Sequence, residues 1–117
     1  MTSTTAFRIS AAFGFLAVAL GAFGAHGLKA VLVQNDTAAI WQTAVLYHLA
    51  HSLMLVLVAS REPLHVWAWR LFVAGIIIFS GTLYTLALTN VKILGAITPI
   101  GGVCLLAGWL VLALKPK

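Results

Sequence analysis

The sequence predicts an all-α integral membrane protein built as an antiparallel four-helix bundle. Of its 117 residues, 62% are hydrophobic and only 8% are charged, against roughly 25% charged in an average soluble domain. Seven basic and two acidic residues are too few to form the polar surface of a soluble fold. The hydrophobicity is too high for a disordered chain. The charged residues also divide the chain into four uncharged segments, and each is long enough to cross a bilayer as a helix.

These segments predict four helices of one transmembrane domain that occupies residues 1–117. Continuous apolar runs are typical of helices and not of barrel strands. Asp36 or Thr37 is expected to cap the second helix, and Pro63 is expected to end it. Residues 28–33 are expected to form a short interfacial turn. Because the links are short, neighbouring helices are expected to be antiparallel. The helices are predicted near 7–26, 38–59, 66–88 and 93–114.

The Lys and Arg residues predict the orientation of the bundle. If both termini share one side, that side holds five basic residues and the other side holds two. The more basic side faces the cytoplasm, so both termini are expected there. The basic residues are scattered singly, so the predicted contact is with lipid and no nucleic-acid partner is expected. The five are Arg8, Arg61, Arg70, Lys115 and Lys117, and the two are Lys29 and Lys92.

The tryptophans fit the same orientation. Indole rings favour the headgroup level of a membrane. Trp67, Trp69 and Trp109 are expected near the cytoplasmic interface, and Trp41 is expected near the opposite one.

Small residues recur along the helices and predict close helix contacts, either within the bundle or with a partner. Alternatively, residues 95–102 form a broken helix that lines a substrate site. In that case Pro99 would kink the helix and free the carbonyl of Gly95. The residues predicted to pack are Ala17, Gly21, Ala25, Gly75, Gly81, Gly95 and Gly102.

Histidines are the main candidates for chemistry inside the membrane. No Asp or Glu lies in a predicted span, which disfavours a carboxylate proton relay, a carboxylate cation site and two-carboxylate hydrolysis. His48 and His51 are three residues apart on one helix face, near the middle of the bilayer. With other polar side chains they are expected to form one cluster. Its predicted members are His26, Tyr47, His48, His51, Ser80, Tyr84 and Thr98.

Four interpretations of this cluster remain open. Neutral histidines and hydroxyls can hydrogen-bond between helices and bind nothing. A pocket for a quinone or another ligand can use a histidine as the donor to a carbonyl oxygen. A metal or haem can be bound by His48 and His51, with His26 as a third ligand. An intramembrane hydrolase can pair Ser80 with a histidine, although Ile78 stands where a G-x-S-G motif requires glycine. The sequence identifies no cofactor.

Four motifs stand out along the chain: LGAFGAHGL at 20–28, TAVLYHLAHS at 43–52, FSGTLY at 79–84 and LGAITPIGG at 94–102. Together they resemble the family named domain of unknown function (DUF) 423, small bacterial inner-membrane proteins. The resemblance runs from about Phe13 to Leu114 and implies a multi-helix protein of the bacterial inner (plasma) membrane. It implies no established activity, cofactor or catalytic residue.

The sequence favours a non-enzymatic protein that acts by association. It is expected to be an accessory subunit of a membrane protein complex or a small homo-oligomer, because its loops are too short for a soluble catalytic domain. The alternative is binding or transport of a small molecule, quinone, haem or metal at the histidines. An intramembrane enzyme is a third hypothesis.

Overall fold

The computed structural model describes residues 1–116, and Lys117, one of the basic residues predicted on the cytoplasmic side, lies outside them. Four stretches of 23 or 24 residues are long and apolar enough to span a membrane: Ser3–Ala25, Ala38–Ser60, Val66–Thr89 and Lys92–Leu114. At 1.5 Å per residue each is about 35 Å long. The predicted fold class is confirmed, an all-α membrane protein with four spanning helices.

We number the helices α1 to α5 in chain order. Helix α4 contains one π turn at Ile76–Ser80. A 3₁₀ turn at Lys92–Ala96 leads into α5, so the last span is not one regular helix. Pro99 lies in the first turn of α5, where its missing N–H costs no hydrogen bond, and it kinks nothing. The helices are α1 (Ser3–Ala25), α2 (Lys29–Asn35), α3 (Ala38–Ser60), α4 (Val66–Thr89) and α5 (Thr98–Leu114).

The bundle consists of two tightly packed helix pairs. Helix α1 packs chiefly against α3, and α4 packs chiefly against α5; contacts of α3 with α4 join the pairs. The larger apolar core lies toward the end that carries the chain termini, around Leu55, Phe72 and Leu105. A smaller core at the opposite end contains Leu32, Trp41 and Ala87.

The segment between α1 and α3 is tied to the end of α4. The side-chain amide of Asn35 donates to the carbonyl oxygen of Ala87 at 3.0 Å, and the hydroxyl of Thr37 donates to the same oxygen at 2.7 Å. Thr37 was expected to cap α3, but its hydroxyl makes no such bond. It satisfies instead a carbonyl that α4 leaves free at its last turn. Asp36 is left-handed (φ 56°) and ends α2.

The predicted packing residues divide into two groups. Ala17 is fully buried, and Gly21 and Gly75 face side chains of neighbouring helices at close range. Ala25 is exposed, a Cβ on Gly81 would meet nothing within 4 Å, and Gly95 and Gly102 have room for one. These four bring no two helices of this chain tightly together, because small size permits close approach but does not choose the helix face. Their contact with a partner stays a prediction.

The tightest approach of two helices occurs at Gly101 of α5. A Cβ there would lie 2.7 Å from the Cα of Phe79 and 2.9 Å from the carbonyl carbon of Ile78. Both residues belong to the π turn of α4. Gly101 therefore allows backbone to contact backbone where α4 and α5 meet.

Two of the tryptophans join helices through their indole N–H groups. Trp41 donates to the carbonyl oxygen of Leu20 at 3.0 Å, and Trp69 donates to Oγ of Ser10 at 2.9 Å. Both indoles are buried near the start of their helices, Trp41 in α3 and Trp69 in α4, and their placement at the membrane interface stays a prediction. Trp67 is exposed beside the guanidinium of Arg70.

Replacing Gly101 with alanine is expected to destabilise the protein by about 2 kcal/mol, since the new methyl group must displace backbone. The matched control is Gly81→Ala, which is expected to be neutral or to stabilise by up to ~1 kcal/mol through helix propensity. Unfolding in mild detergent, followed by circular dichroism, measures both. Equal effects of the two substitutions would contradict the close packing at Gly101.

Candidate functional site

His48 and His51 of α3 are both buried, with 2% and 7% of their surface exposed. They lie near the middle of a 23-residue helix, so no water is available there to hydrogen-bond their ring nitrogens. Although they lie on one side of α3, their partners belong to different helices. His48 is bonded to α4, and His51 is bonded to α5.

His48 is paired with Tyr84. Its Nδ1 lies 2.8 Å from the Tyr84 hydroxyl, and the two rings meet edge to face. Its Nε2 is buried and has no hydrogen-bond partner among residues 1–116. The ring of Phe13 on α1 packs against the same imidazole, with centroids 6.2 Å apart. His48 therefore lies where α1, α3 and α4 meet, enclosed by protein on every side.

His51 has a partner at each nitrogen, and these partners fix its tautomer. The indole N–H of Trp109 points to Nε2 at 3.0 Å, and the carbonyl oxygen of Tyr47 lies 2.8 Å from Nδ1. An indole nitrogen can only donate and a carbonyl can only accept. Nε2 is therefore the acceptor and Nδ1 carries the proton. No lone pair is left on this ring for a metal or a haem iron.

The predicted serine and threonine members are used elsewhere. The Ser80 hydroxyl donates to the carbonyl oxygen of Ala44 at 2.8 Å, which ties the π turn of α4 to α3. Thr98 lies 2.7 Å from the hydroxyl of Thr82 and also donates to the carbonyl oxygen of Leu94. Because Ser80 is bonded to a backbone carbonyl and not to a histidine, the geometry does not support a serine hydrolase.

The single predicted cluster is therefore replaced by separate pairs. His26 lies exposed at the end of α1 and does not join the buried histidines. Among residues 1–116, no three His, Cys, Asp or Glu side chains are close enough together to bind a metal ion. The expected third ligand of a His48–His51 metal site is thus not supplied by His26.

An open groove between α3 and α5 runs beside His51. Its volume is about 390 Å³. The Tyr47 ring lies 4.8 Å from that of Phe79 and is parallel to the His51 imidazole within 7°. We call this the α3–α5 groove. It is lined by Tyr47, His51, Phe79, Pro99, Gly102, Val103, Leu105, Leu106 and Trp109.

Sequence reasoning found Tyr47 and His51 but missed Phe79 and Trp109. The available signal was the indole N–H of Trp109, which needs an acceptor if the ring lies within the hydrocarbon core. His51 lies at a comparable depth and carries a ring nitrogen that can accept this hydrogen bond.

A second groove, of about 320 Å³, lies between α1, α2 and α3. Its lining includes Gly21, Gly24, Trp41 and the side-chain amide of Gln42, and it holds no ionisable group. The indole N–H of Trp41 is already bonded to Leu20. This groove offers no group suited to chemistry.

Comparison with known proteins points to one family. The sequence model of the family described as "Protein of unknown function (DUF423)" matches residues 20–102. The chain is 50% identical over 103 residues to a UPF0382 membrane protein of Staphylococcus epidermidis, covering 85% of this chain and 84% of the relative. It is 43% identical over 104 residues to the UPF0382 membrane protein YwdK of Bacillus subtilis, covering 83% of each. No solved structure matches the chain.

Replacing Tyr84 with phenylalanine is expected to lower the free energy of unfolding by roughly 1–2 kcal/mol, because His48 loses its only side-chain partner while it stays buried. The matched control is Tyr47→Phe. The hydroxyl of Tyr47 has no partner among residues 1–116, so its loss is expected to change stability little. Denaturation in the same detergent compares the two variants. A Tyr47→Phe cost as large as that of Tyr84→Phe would contradict the assigned pairing.

Proposed function

The chain belongs to the DUF423 family of proteins of unknown function, and from that premise we propose that it acts by lateral association within the membrane. In this proposal it is a non-enzymatic accessory subunit of a membrane protein complex or a small homo-oligomer. It resides in the bacterial inner membrane with both termini in the cytoplasm.

One observation carries the proposal: the two buried histidines and Ser80 are each hydrogen-bonded to a neighbouring helix. His51 is bonded at both nitrogens, and Ser80 is bonded to a backbone carbonyl. His48 is bonded to Tyr84 and enclosed. A catalytic site needs a nucleophile or base with a free path to a substrate, and these three side chains lack one.

The exposed sides of the bundle are the surfaces left for association. Helix α1 packs chiefly on α3 and turns several large side chains outward. Phe15 is 78% exposed on α1, and Leu106 is 70% exposed on α5. Such faces contact either lipid or another transmembrane helix, and helices in lipid associate by van der Waals packing.

The charge distribution supports the proposed orientation. Among residues 1–116, Arg8, Arg61, Arg70 and Lys115 lie at the end of the bundle that carries the termini. Lys29 and Lys92 lie at the other end. An excess of basic residues marks the cytoplasmic side.

Self-association is tested by disulfide crosslinking in intact membranes. Cys104 is the only cysteine, so Cys104→Ser gives a clean background. Single cysteines at Phe15, Leu53, Ile77 and Leu106 then sample four exposed faces. A homo-oligomer is expected to crosslink strongly on one face and weakly on the others. Equal, weak crosslinking on all four faces excludes a specific homo-oligomer.

The accessory-subunit alternative is tested by mild solubilisation and native mass spectrometry of the untagged membrane complex. A second membrane protein in fixed stoichiometry is expected if self-association is absent. A lone monomer in both experiments would overturn the proposed function.

The orientation is tested with reporter fusions at the C terminus and after Asn90. A C-terminal green fluorescent protein is expected to fluoresce, while alkaline phosphatase there stays inactive. After Asn90 the two results are expected to reverse, because an odd number of spans precedes that point. The opposite pattern at both positions would place the termini outside the cytoplasm.

A further inference from the structure

We propose that the α3–α5 groove binds a lipophilic molecule that carries a ring oxygen, and that the hydroxyl of Tyr47 is the group that recognises this oxygen. The inference does not rest on the proposed association: the groove lies within one chain, and only association through the α5 face that carries Leu106 would cover it. The site keeps two members of the predicted cluster, Tyr47 and His51, but the group that recognises the ligand is the tyrosine hydroxyl and not a histidine.

The hydroxyl of Tyr47 has no hydrogen-bond partner among residues 1–116; the only hydrogen bond of this residue outside the helix backbone uses its carbonyl oxygen. Tyr47 is the tenth residue of α3, about 15 Å from the start of the helix. The hydrocarbon core is about 30 Å thick. A hydroxyl at this depth has no water to bond, so a ligand oxygen is the partner it lacks.

The neighbouring polar atoms do not supply that partner. Both nitrogens of His51 are bonded, to Tyr47 and to Trp109. The hydroxyls of Thr82 and Thr98 bond each other and backbone carbonyls. Tyr47 is therefore the one side chain of the groove with free hydrogen-bonding capacity.

The shape and walls of the groove select a small, ring-bearing molecule. Its volume of about 390 Å³ is in the range of small-molecule sites, roughly 300–1,000 Å³. The aromatic rings of Phe79, Tyr47 and Trp109 form flat walls, and aromatic rings favour offset or edge-on contact with another ring.

Departures from regular helix shape the groove on two sides. Phe79 lies in the π turn of α4, and π turns are common at functional sites. Opposite, Pro99 begins α5 after the 3₁₀ turn, and Gly102 leaves the wall without a side chain. The cavity exists because α5 starts late and approaches α4 closely at Gly101, which leaves α3 and α5 apart at this level.

The ligand oxygen has two possible chemical sources, a quinone carbonyl or a ring hydroxyl. A tyrosine hydroxyl can donate to the first and can either donate to or accept from the second. Three probes with the same six-membered ring and decyl chain separate these cases: decyl-1,4-benzoquinone, 4-decylphenol and decylbenzene. The last has the ring and the chain but no oxygen.

The experiment uses the full chain in lipid nanodiscs, with probe concentrations expressed per lipid. Decylbenzoquinone is titrated while tryptophan fluorescence is recorded, because Trp109 lines the groove. A saturable component of quenching is expected above a linear background from partitioned quinone. The other two probes then compete for the saturable component.

Three variants locate the site. Tyr47→Phe removes only the hydroxyl and is expected to weaken binding of the quinone about 5- to 10-fold. Gly102→Leu is expected to abolish saturable binding, since a Cβ at Gly102 has room beside Phe79 and the added side chain fills the groove. Gly81→Leu is the matched control, because Gly81 faces open space outside the groove and its variant is expected to bind like the parent.

If decylphenol displaces the quinone and decylbenzene does not, the proposal is supported, and the site binds both a carbonyl and a hydroxyl oxygen. Displacement by neither probe supports it with a carbonyl as the preferred oxygen. Equal displacement by decylbenzene, or unchanged affinity in Tyr47→Phe, shows that the groove accepts any hydrocarbon and overturns the proposal. Absence of saturable quenching in the parent protein overturns it as well. Unfolding midpoints of all variants are measured in the same nanodiscs, so that loss of binding is attributed only to folded protein.

Discussion

The absence of water from the bilayer core is the constraint on which this structure depends. A polar side chain in a span must find its partner within the protein, within the backbone or in a ligand. Each buried indole and imidazole ring makes one hydrogen bond to a neighbouring helix. The indole N–H of Trp69 donates to Oγ of Ser10, and that of Trp41 donates to the carbonyl oxygen of Leu20. The indole N–H of Trp109 donates to Nε2 of His51.

These hydrogen bonds and the apolar contacts around them contribute to the fold in different ways. Interhelical hydrogen bonds in membranes contribute about 0.6 kcal/mol each on average, and up to ~1.7 kcal/mol. Their individual contribution to stability is modest, but each requires two specific atoms to meet. They therefore fix helix rotation and register, while close approach at Gly101 and Gly108 supplies van der Waals contact. The geometry of the α3–α5 groove follows from both effects, since Trp109 and His51 join its walls across the gap.

The architecture could be predicted from sequence because charge spacing alone separates four spans of the right length. The ends of the helices were harder to predict from the sequence. Thr2 caps α1 before the apolar run begins. The 3₁₀ turn before Thr98 depends on how the link between α4 and α5 packs. The candidate site was predicted only in part. Helices that are apolar on every side do not show which face is internal, so the partners of His48 and His51 on α4 and α5 could not be assigned. His26, grouped with them by residue type, lies exposed at the end of α1.

The central claim is that the buried indole and imidazole rings are paired from helix to helix, and His51 tests it most directly. Solid-state ¹⁵N NMR of histidine-labelled protein in lipid distinguishes the two ring nitrogens. The structure predicts a neutral His51 with its proton on Nδ1 and with Nε2 accepting the indole proton of Trp109. A proton on Nε2, or a ring whose protons exchange rapidly with water, would contradict this account of the interior.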